Sequence, residues 1–167
     1  MWFGTEEVAP GIVYGLAHAY PKHALHGATV TVRRRWVPPL RLCLVRYPRM
    51  LTVEALISYD RETIESHTGP HLKLLLDLRA VDMDSLGIGD AGTWGTWARS
   101  MSIGSSHPSL RTATLVSGPR GTAIAMLLRE FSANAMNMEI FNSAAMAYRY
   151  LMVESTTAEL HQDIIPA

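Results

Sequence analysis

The stretch DLRAVDMDSLGIGD holds the residues of this sequence whose types and spacing are most suggestive of chemistry. Its carboxylates, Asp77, Asp82, Asp84 and Asp90, are oxygen ligands of the kind that Mg²⁺ accepts at the end of a strand. Only Asp82 and Asp84 are certain neighbours, and no histidine accompanies them. A solvated loop is therefore the favoured interpretation. The alternative is a small enzyme or metal-binding protein that uses the acidic loop from Asp82 to Asp90.

The other sets of residues that could serve catalysis or cofactor binding are poor candidates. GIGD lacks the third glycine and the later acid of a dinucleotide fingerprint, and no lysine follows a glycine-rich loop. Ser117 precedes Gly118, but nothing in the sequence places an acid and a histidine to serve it as a nucleophile. The seven histidines are scattered, and His67 and His71 straddle a TGP break. We therefore expect no catalytic residue, no metal and no cofactor.

Composition indicates the number of domains, the kinds of partner that are disfavoured and the expected location of the protein. The 167 residues suffice for one domain with a proper core, and 15 Lys and Arg balance 15 Asp and Glu. No overall field would steer such a chain toward nucleic acid or an anionic membrane. The single cysteine, Cys43, lies in an apolar alternation and is predicted to be buried. Because we see neither a membrane-length apolar stretch nor a secretion signal, we expect a cytoplasmic protein.

Residues 1–27 are predicted to form an irregular N-terminal arm, because they show no sustained helical or strand period. The arm has two groups of large apolar side chains, one at Met1, Trp2 and Phe3 and the other at Ile12, Val13 and Tyr14. Apolar groups of that size seldom stay uncovered. The arm is therefore expected either to dock on the domain or to mediate self-association into a homodimer, and both interpretations stay open.

A β-hairpin is predicted after the arm. ATVTVRRRW and LRLCLVRY both alternate along the chain, and VPP separates them. Apolar side chains occur on both faces of the second strand, so we expect it to be covered on both sides. Arg34 faces away from Arg33 and Arg35 in a strand, so the three arginines cannot form one patch. A solvated edge strand is the favoured interpretation.

Alternating helices and strands follow the hairpin. Thr52 is a predicted N-cap for VEALISYDRETIESH, and LKLLLDL is typical of a strand buried on both faces. Asp90 is predicted to cap the next helix, whose core stripe comprises Trp94, Trp97, Ala98 and Met101. LRTATLVS predicts another strand, after which GPRG turns the chain into a helix from Thr122 to Ala135.

MNMEIF predicts the last strand, and Asn142 or Ser143 is expected to cap a helix through AAMAYRYLMVE. Residues 154–167 are predicted to be a C-terminal tail. The order of elements predicts an α/β fold over residues 28–153, with a mixed four- to five-stranded sheet, an N-terminal β-hairpin and covering helices.

Residues 29–153 resemble the SpoIIAA-like proteins, relatives of the STAS domain (sulfate transporter and anti-sigma factor antagonist). The resemblance rests on PRMLTVEAL, on LLLDLRAV as the central strand, and on RTATLVS followed by EIFNSAAMAYRYL. In the last segment Phe141, Ala147, Tyr150 and Leu151 stand at the family's spacing. The resemblance implies a non-catalytic regulatory or binding module, which contacts a protein partner or a small apolar ligand.

The resemblance also raises the question of whether Ser85 is a phosphorylation site. Classical anti-sigma antagonists carry Asp-Ser-Ser-Gly at a helix start, and a partner kinase phosphorylates the second serine. Here the matching residues are Asp84, Ser85, Leu86 and Gly87, and Leu86 has no hydroxyl to modify. We therefore favour a plain strand-to-helix turn. Ser85 as a substitute acceptor is the alternative, although Asp82 and Asp84 would repel a phosphate.

Open α/β sheets bind ligands beyond the carboxyl ends of their parallel strands. The residues that this rule selects as binding residues are Arg79, Asp82, Asp84, Ser85, Ser117, Arg120 and Asn142. Their selection rests on analogy between folds.

Overall fold

A computed structural model describes residues 32–67, 71–101 and 109–153. The described strands are β1 (Arg33–Val37), β2 (Leu42–Arg46), β3 (Lys73–Asp77), β4 (Arg111–Leu115) and β5 (Met138–Phe141). The described helices are α1 (Val53–Glu65), α2 (Ile88–Ser100), α3 (Gly118–Phe131) and α4 (Ala144–Tyr150), with 3₁₀ turns at Pro38–Leu40 and Met83–Ser85. The predicted arm, the TGP break and the predicted tail lie outside the described residues.

The five described strands form one mixed sheet in the order β1-β2-β3-β4-β5. β1 and β2 are an antiparallel hairpin, and β2 to β5 are parallel to one another. Right-handed crossovers that advance in one direction place their helices on the same side of a sheet. α1, α2 and α3 accordingly cover one face, here called the helical face, and α4 packs on the other, here called the α4 face. The predicted α/β fold with an N-terminal hairpin is confirmed.

Apolar side chains fill both sides of the sheet. Leu75 points to the α4 face and Leu76 to the helical face, and these side chains are 1% and 3% exposed. β3 is therefore the central, doubly covered strand that its leucine run predicts. Cys43 is buried beneath the helices, and burial raises the pKa of its thiol to about 12. The thiol consequently acts as a small apolar group.

The predicted start of α1 is confirmed, because the Thr52 hydroxyl accepts a hydrogen bond from the backbone N–H of Ala55. The predicted capping of α2 by Asp90 is confirmed, but from a position within the helix. That helix begins at Ile88, and the Asp90 carboxylate accepts a hydrogen bond from the backbone N–H of Gly87 across the first turn. Asp90 therefore lies inside the helix that it caps.

The start of α3 and the end of α4 differ from prediction, whereas α4 begins directly after Ser143, one of its two predicted caps. α3 begins at Gly118, four residues before the predicted Thr122, because Pro119 fits the first helical turn instead of ending a separate loop. α4 ends at Tyr150, short of the predicted Glu154. Met152 adopts a left-handed backbone conformation with φ of 54°, which ends a helix.

Candidate functional site

The loops that follow β2 and β3 are joined at the carboxyl edge of the sheet. The Ser85 hydroxyl donates to the carbonyl oxygen of Asp82 at 2.6 Å and to that of Leu51 at 3.1 Å. The backbone N–H of Asp82 donates to the carbonyl of Arg49 at 2.7 Å. Ser85 is therefore a structural bridge between two loops.

A second set of hydrogen bonds joins the loop after β3 to the start of α3. The Ser117 hydroxyl donates to the carbonyl of Arg79 at 3.1 Å. The guanidinium of Arg120 donates to the carbonyl of Met83 at 3.2 Å and lies 2.8 Å from the Asp84 carboxylate. Six of the seven predicted binding residues consequently form one continuous loop surface.

Asn142 is the seventh predicted binding residue. It follows β5 at the same edge and is exposed, but it takes no part in the two sets of hydrogen bonds just described. The two sets of hydrogen bonds therefore connect the loops after β2, β3 and β4. The loop after β5 lies at the same edge of the sheet but takes no part in these bonds.

The carboxylates of the acidic stretch have separate partners. Asp77 receives two side-chain hydrogen bonds from Arg79, at 2.9 and 2.8 Å. Asp82 accepts from the backbone of Asp84, whose own carboxylate pairs with Arg120. Within the described residues, no three His, Cys, Asp or Glu side chains are grouped as metal ligands. Each carboxylate thus serves the local structure of its loop.

The turn from Asp84 to Gly87 leads directly into α2. Leu86, the residue that matches the phosphorylated serine of the antagonists, is 2% exposed and packs in the core under the helical face. Ser85 beside it is half-buried, with its hydroxyl directed at two carbonyl groups. This position therefore has a structural role in anchoring the turn.

Two large apolar side chains stand exposed on the loop surface. Met50 is 56% exposed and lies between Arg49 and Leu51, the two residues that bond the loop after β3. Ile88 is 67% exposed and begins α2, three residues after Ser85. Contiguous exposed apolar patches mark interaction sites, whereas single exposed apolar side chains are common on protein surfaces.

Arg34 faces α1, as the strand alternation predicts. Its guanidinium pairs with Glu62 at 2.7 Å and donates to the carbonyl of Tyr59 at 3.3 Å. Arg33 and Arg35 therefore point to the α4 face. There the register sets Arg33 directly beside Arg46 of β2, an arrangement that sequence reasoning missed. The sequence pattern of each strand does not show this neighbourhood, because it depends on the register between β1 and β2.

A buried polar network also escaped the sequence prediction. Asp60 on α1 is 2% exposed and accepts hydrogen bonds from the Tyr47 hydroxyl and from the Trp94 indole. Burial raises the pKa of Asp60 to about 6, against the lowering effect of these two donors and of Arg34. Its position in the sequence could have indicated that Asp60 is buried, because Asp60 lies on the same helical stripe as Val53, Leu56 and Ile64.

Searches with this chain against protein-family models, curated proteins and solved structures give no match. In the part of the chain that the structure describes, no helix combines the length and the apolar character needed to cross a membrane.

Proposed function

We propose that this chain is a non-catalytic binding module of the SpoIIAA/STAS-like type, which contacts a protein partner through the loop surface at the carboxyl edge. The single observation that carries this proposal is the exposure of Met50 and Ile88 on that surface. Burying two such side chains against a partner would contribute several kcal/mol to association.

The rigidity of the loop surface supports recognition of a folded partner. Ser85, Asp82 and Arg120 each bond to the backbone of another element, so Met50 and Ile88 are presented on loops that are already ordered. A preordered surface loses little conformational entropy when it binds.

The rival proposal is a small enzyme or metal-binding protein that uses the acidic loop. Such a site needs carboxylates that converge on one ion or water. Asp77 and Asp84 are instead engaged by arginines, and Asp82 and Asp90 cap local turns. These contacts favour the binding module, and a cytoplasmic location remains part of the proposal.

The test compares variants that add a charge at exposed methionine and isoleucine positions. Purified wild type, Ile88→Glu and Met50→Glu are used to capture proteins from a cell extract, which are quantified by mass spectrometry. Met126→Glu is the matched control, because Met126 is 50% exposed but lies in the second half of α3.

We expect a partner that wild type and Met126→Glu retain equally and that Ile88→Glu and Met50→Glu lose. Equal loss with Met126→Glu would contradict a specific surface. Native mass spectrometry of the same samples detects a retained small apolar ligand or a homodimer, and either species lost with Ile88→Glu would replace the protein partner in the proposal.

A further inference from the structure

Leu42 and Leu44 of β2 are buried on the α4 face at a distance from α4. Their side chains are 0% and 2% exposed, and they belong to the same apolar cluster as the inner side of α4. That helix contacts β4 and β5. A helix is about 10 to 12 Å wide with its side chains, whereas five strands span about 19 Å. A helix over β4 and β5 therefore cannot also cover β2.

The β-hairpin covers one end of β2. Val37 stands opposite Leu42 in the register, and Val37 and Leu40 pack against the apolar cluster of the α4 face. Leu44 lies two residues further along β2, toward the carboxyl edge. The described helix on this face and the hairpin thus account for the cover of Leu42 but not for that of Leu44.

The C-terminal tail, residues 154–167, leaves the domain beside Leu42. Val153 is buried in the apolar cluster of the α4 face, and the ammonium group of Lys73 donates to the carbonyl oxygen of Met152 at 3.3 Å. Lys73 pairs with Leu42 in the register. The tail therefore begins on the α4 face, one strand away from β2. At about 3.3 Å per residue, it is long enough to follow the whole of β2.

The side chains of the tail suit the surface along β2. Its large apolar side chains are Leu160, Ile164 and Ile165. Its charged side chains are Glu154, Glu159 and Asp163, and it contains no lysine or arginine. Arginines lie on the α4 face beside Leu44, where the register sets Arg33 next to Arg46. The tail thus combines apolar groups for the cluster with carboxylates for the neighbouring arginines.

The other parts of the chain outside the described residues are less well placed. The N-terminal arm joins the domain at Val32, which packs against the core of the helical face. Residues 102–108 follow α2, which covers the same helical face. Residues 68–70 are Thr-Gly-Pro and contain no large apolar side chain. The tail is the segment that leaves the described residues on the α4 face itself.

We propose that residues 154–167 dock on the α4 face along β2 and complete its apolar cluster above Leu44. This inference goes beyond the proposed function, because it assigns an interaction surface on the sheet to a segment of the chain itself. The partner is then left with the loop surface at the carboxyl edge.

A double-mutant cycle on the full-length chain tests the contact. Urea unfolding gives the unfolding equilibrium constants of wild type, Leu44→Ala, Ile164→Ala and the double variant. Effects of residues in contact are not additive. We therefore expect Ile164→Ala to raise the unfolding constant about threefold less in the Leu44→Ala background than in wild type. Leu160→Ala is measured in the same two backgrounds.

Ile12→Ala is the matched control, because it removes the same atoms from the N-terminal arm. We expect its effect to be the same with Leu44 or Ala at position 44. If Leu44→Ala does not unfold cooperatively, Leu44→Val takes its place in the cycle, because the smaller deletion costs less stability.

Three outcomes would overturn the proposal. Coupling of Ile12 with Leu44, without coupling of Ile164 or Leu160, would assign the surface to the arm. Additive effects of both Ile164→Ala and Leu160→Ala would show that the tail does not contact Leu44. Coupling that appears only at high protein concentration would place the tail on a second copy of the chain. None of these measurements involves the partner, so this proposal and the proposed function fail separately.

Discussion

The indole N–H of Trp94 donates a hydrogen bond of 2.8 Å to the carboxylate of Asp60, and both side chains are buried. The bond joins α2 to α1, and the Tyr47 hydroxyl donates to the other carboxylate oxygen from the end of β2. Three elements thus meet at one acid in the core. Because burial raises the pKa of Asp60 to about 6, the stability of the domain depends on pH.

We predict that Asp60→Asn abolishes a pH-dependent loss of stability. An acid whose pKa is raised from 3.8 to about 6 on folding stabilises the fold fully below pH 3.8. That contribution is lost as the pH rises through about 6, by about 3 kcal/mol at 1.4 kcal/mol per pKa unit. Urea unfolding of both proteins from pH 4 to 7.5 measures the difference between their free energies of unfolding.

Asparagine keeps the shape of the side chain and an oxygen for the Trp94 indole, but it does not titrate. The wild type should therefore lose stability relative to Asp60→Asn as the pH rises. A constant difference between the two proteins over this range would show that Asp60 does not titrate there.

The sequence predicted the elements of this fold because each depends on local pattern. The leucine run of β3, the Thr52 cap and the alternation of β2 all identify their elements without knowledge of the partner strands. The starts of α2 and α3 were misplaced because Gly87 and Gly118 look like loop residues, although helices tolerate them in or before the first turn.

The candidate site was predicted in part. The rule that ligands bind at the carboxyl edge brought together Arg79, Ser85 and Arg120, which the structure joins through loop contacts. It did not reveal that Arg33 lies beside Arg46, because that pairing depends on the register between two strands. The apolar stripe of α1 likewise does not indicate that Tyr47 and Trp94 donate hydrogen bonds to the buried Asp60.

Ser85→Ala should cost about 1 kcal/mol of stability, because the variant leaves the carbonyls of Asp82 and Leu51 without the hydroxyl donor. Urea unfolding measures this cost. Ser117→Ala is the control, since that hydroxyl is exposed and makes one such bond, so its loss should cost less than about 0.5 kcal/mol. Equal costs would mean that the loop bridge does not depend on Ser85.

The same variant distinguishes a structural serine from a phosphorylated one. Ser85→Ala should leave capture of a partner nearly intact, and incubation with cell extract and ATP should leave Ser85 unmodified. Mass spectrometry of the incubated wild type locates any phosphate. Stoichiometric phosphate on Ser85 would contradict a purely structural role.

Leu75→Asp is expected to unfold the domain. Leu75 is 1% exposed in the central strand, between Leu44 and Ala113 in the register. An unpaired buried charge costs several kcal/mol against a total stability of about 5 to 15 kcal/mol. Thermal unfolding followed by circular dichroism should show no cooperative transition, whereas Leu75→Met should retain one within about 1.5 kcal/mol. A sharp transition for Leu75→Asp would disprove the central position of β3.

Two glycines of α2 should respond to alanine in opposite directions. At Gly95 an added Cβ would lie 2.5 Å from the backbone carbon of Phe131 and 2.7 Å from its carbonyl oxygen. The close packing of α2 on α3 therefore requires glycine there, and we expect Gly95→Ala to destabilise the domain by about 3 kcal/mol. At Gly92 an added Cβ meets nothing within 4 Å.

Gly92→Ala should accordingly stabilise the domain by about 0.5 to 1 kcal/mol, because alanine loses less backbone entropy than glycine when a helix forms. Urea unfolding of the two variants compares their free energies of unfolding on one helix, with the same added methyl group in each. Destabilisation by both variants would indicate an effect of alanine on α2 itself. Destabilisation by Gly95→Ala alone would locate the cause in the contact with Phe131, since the substitutions differ only in what the methyl group meets.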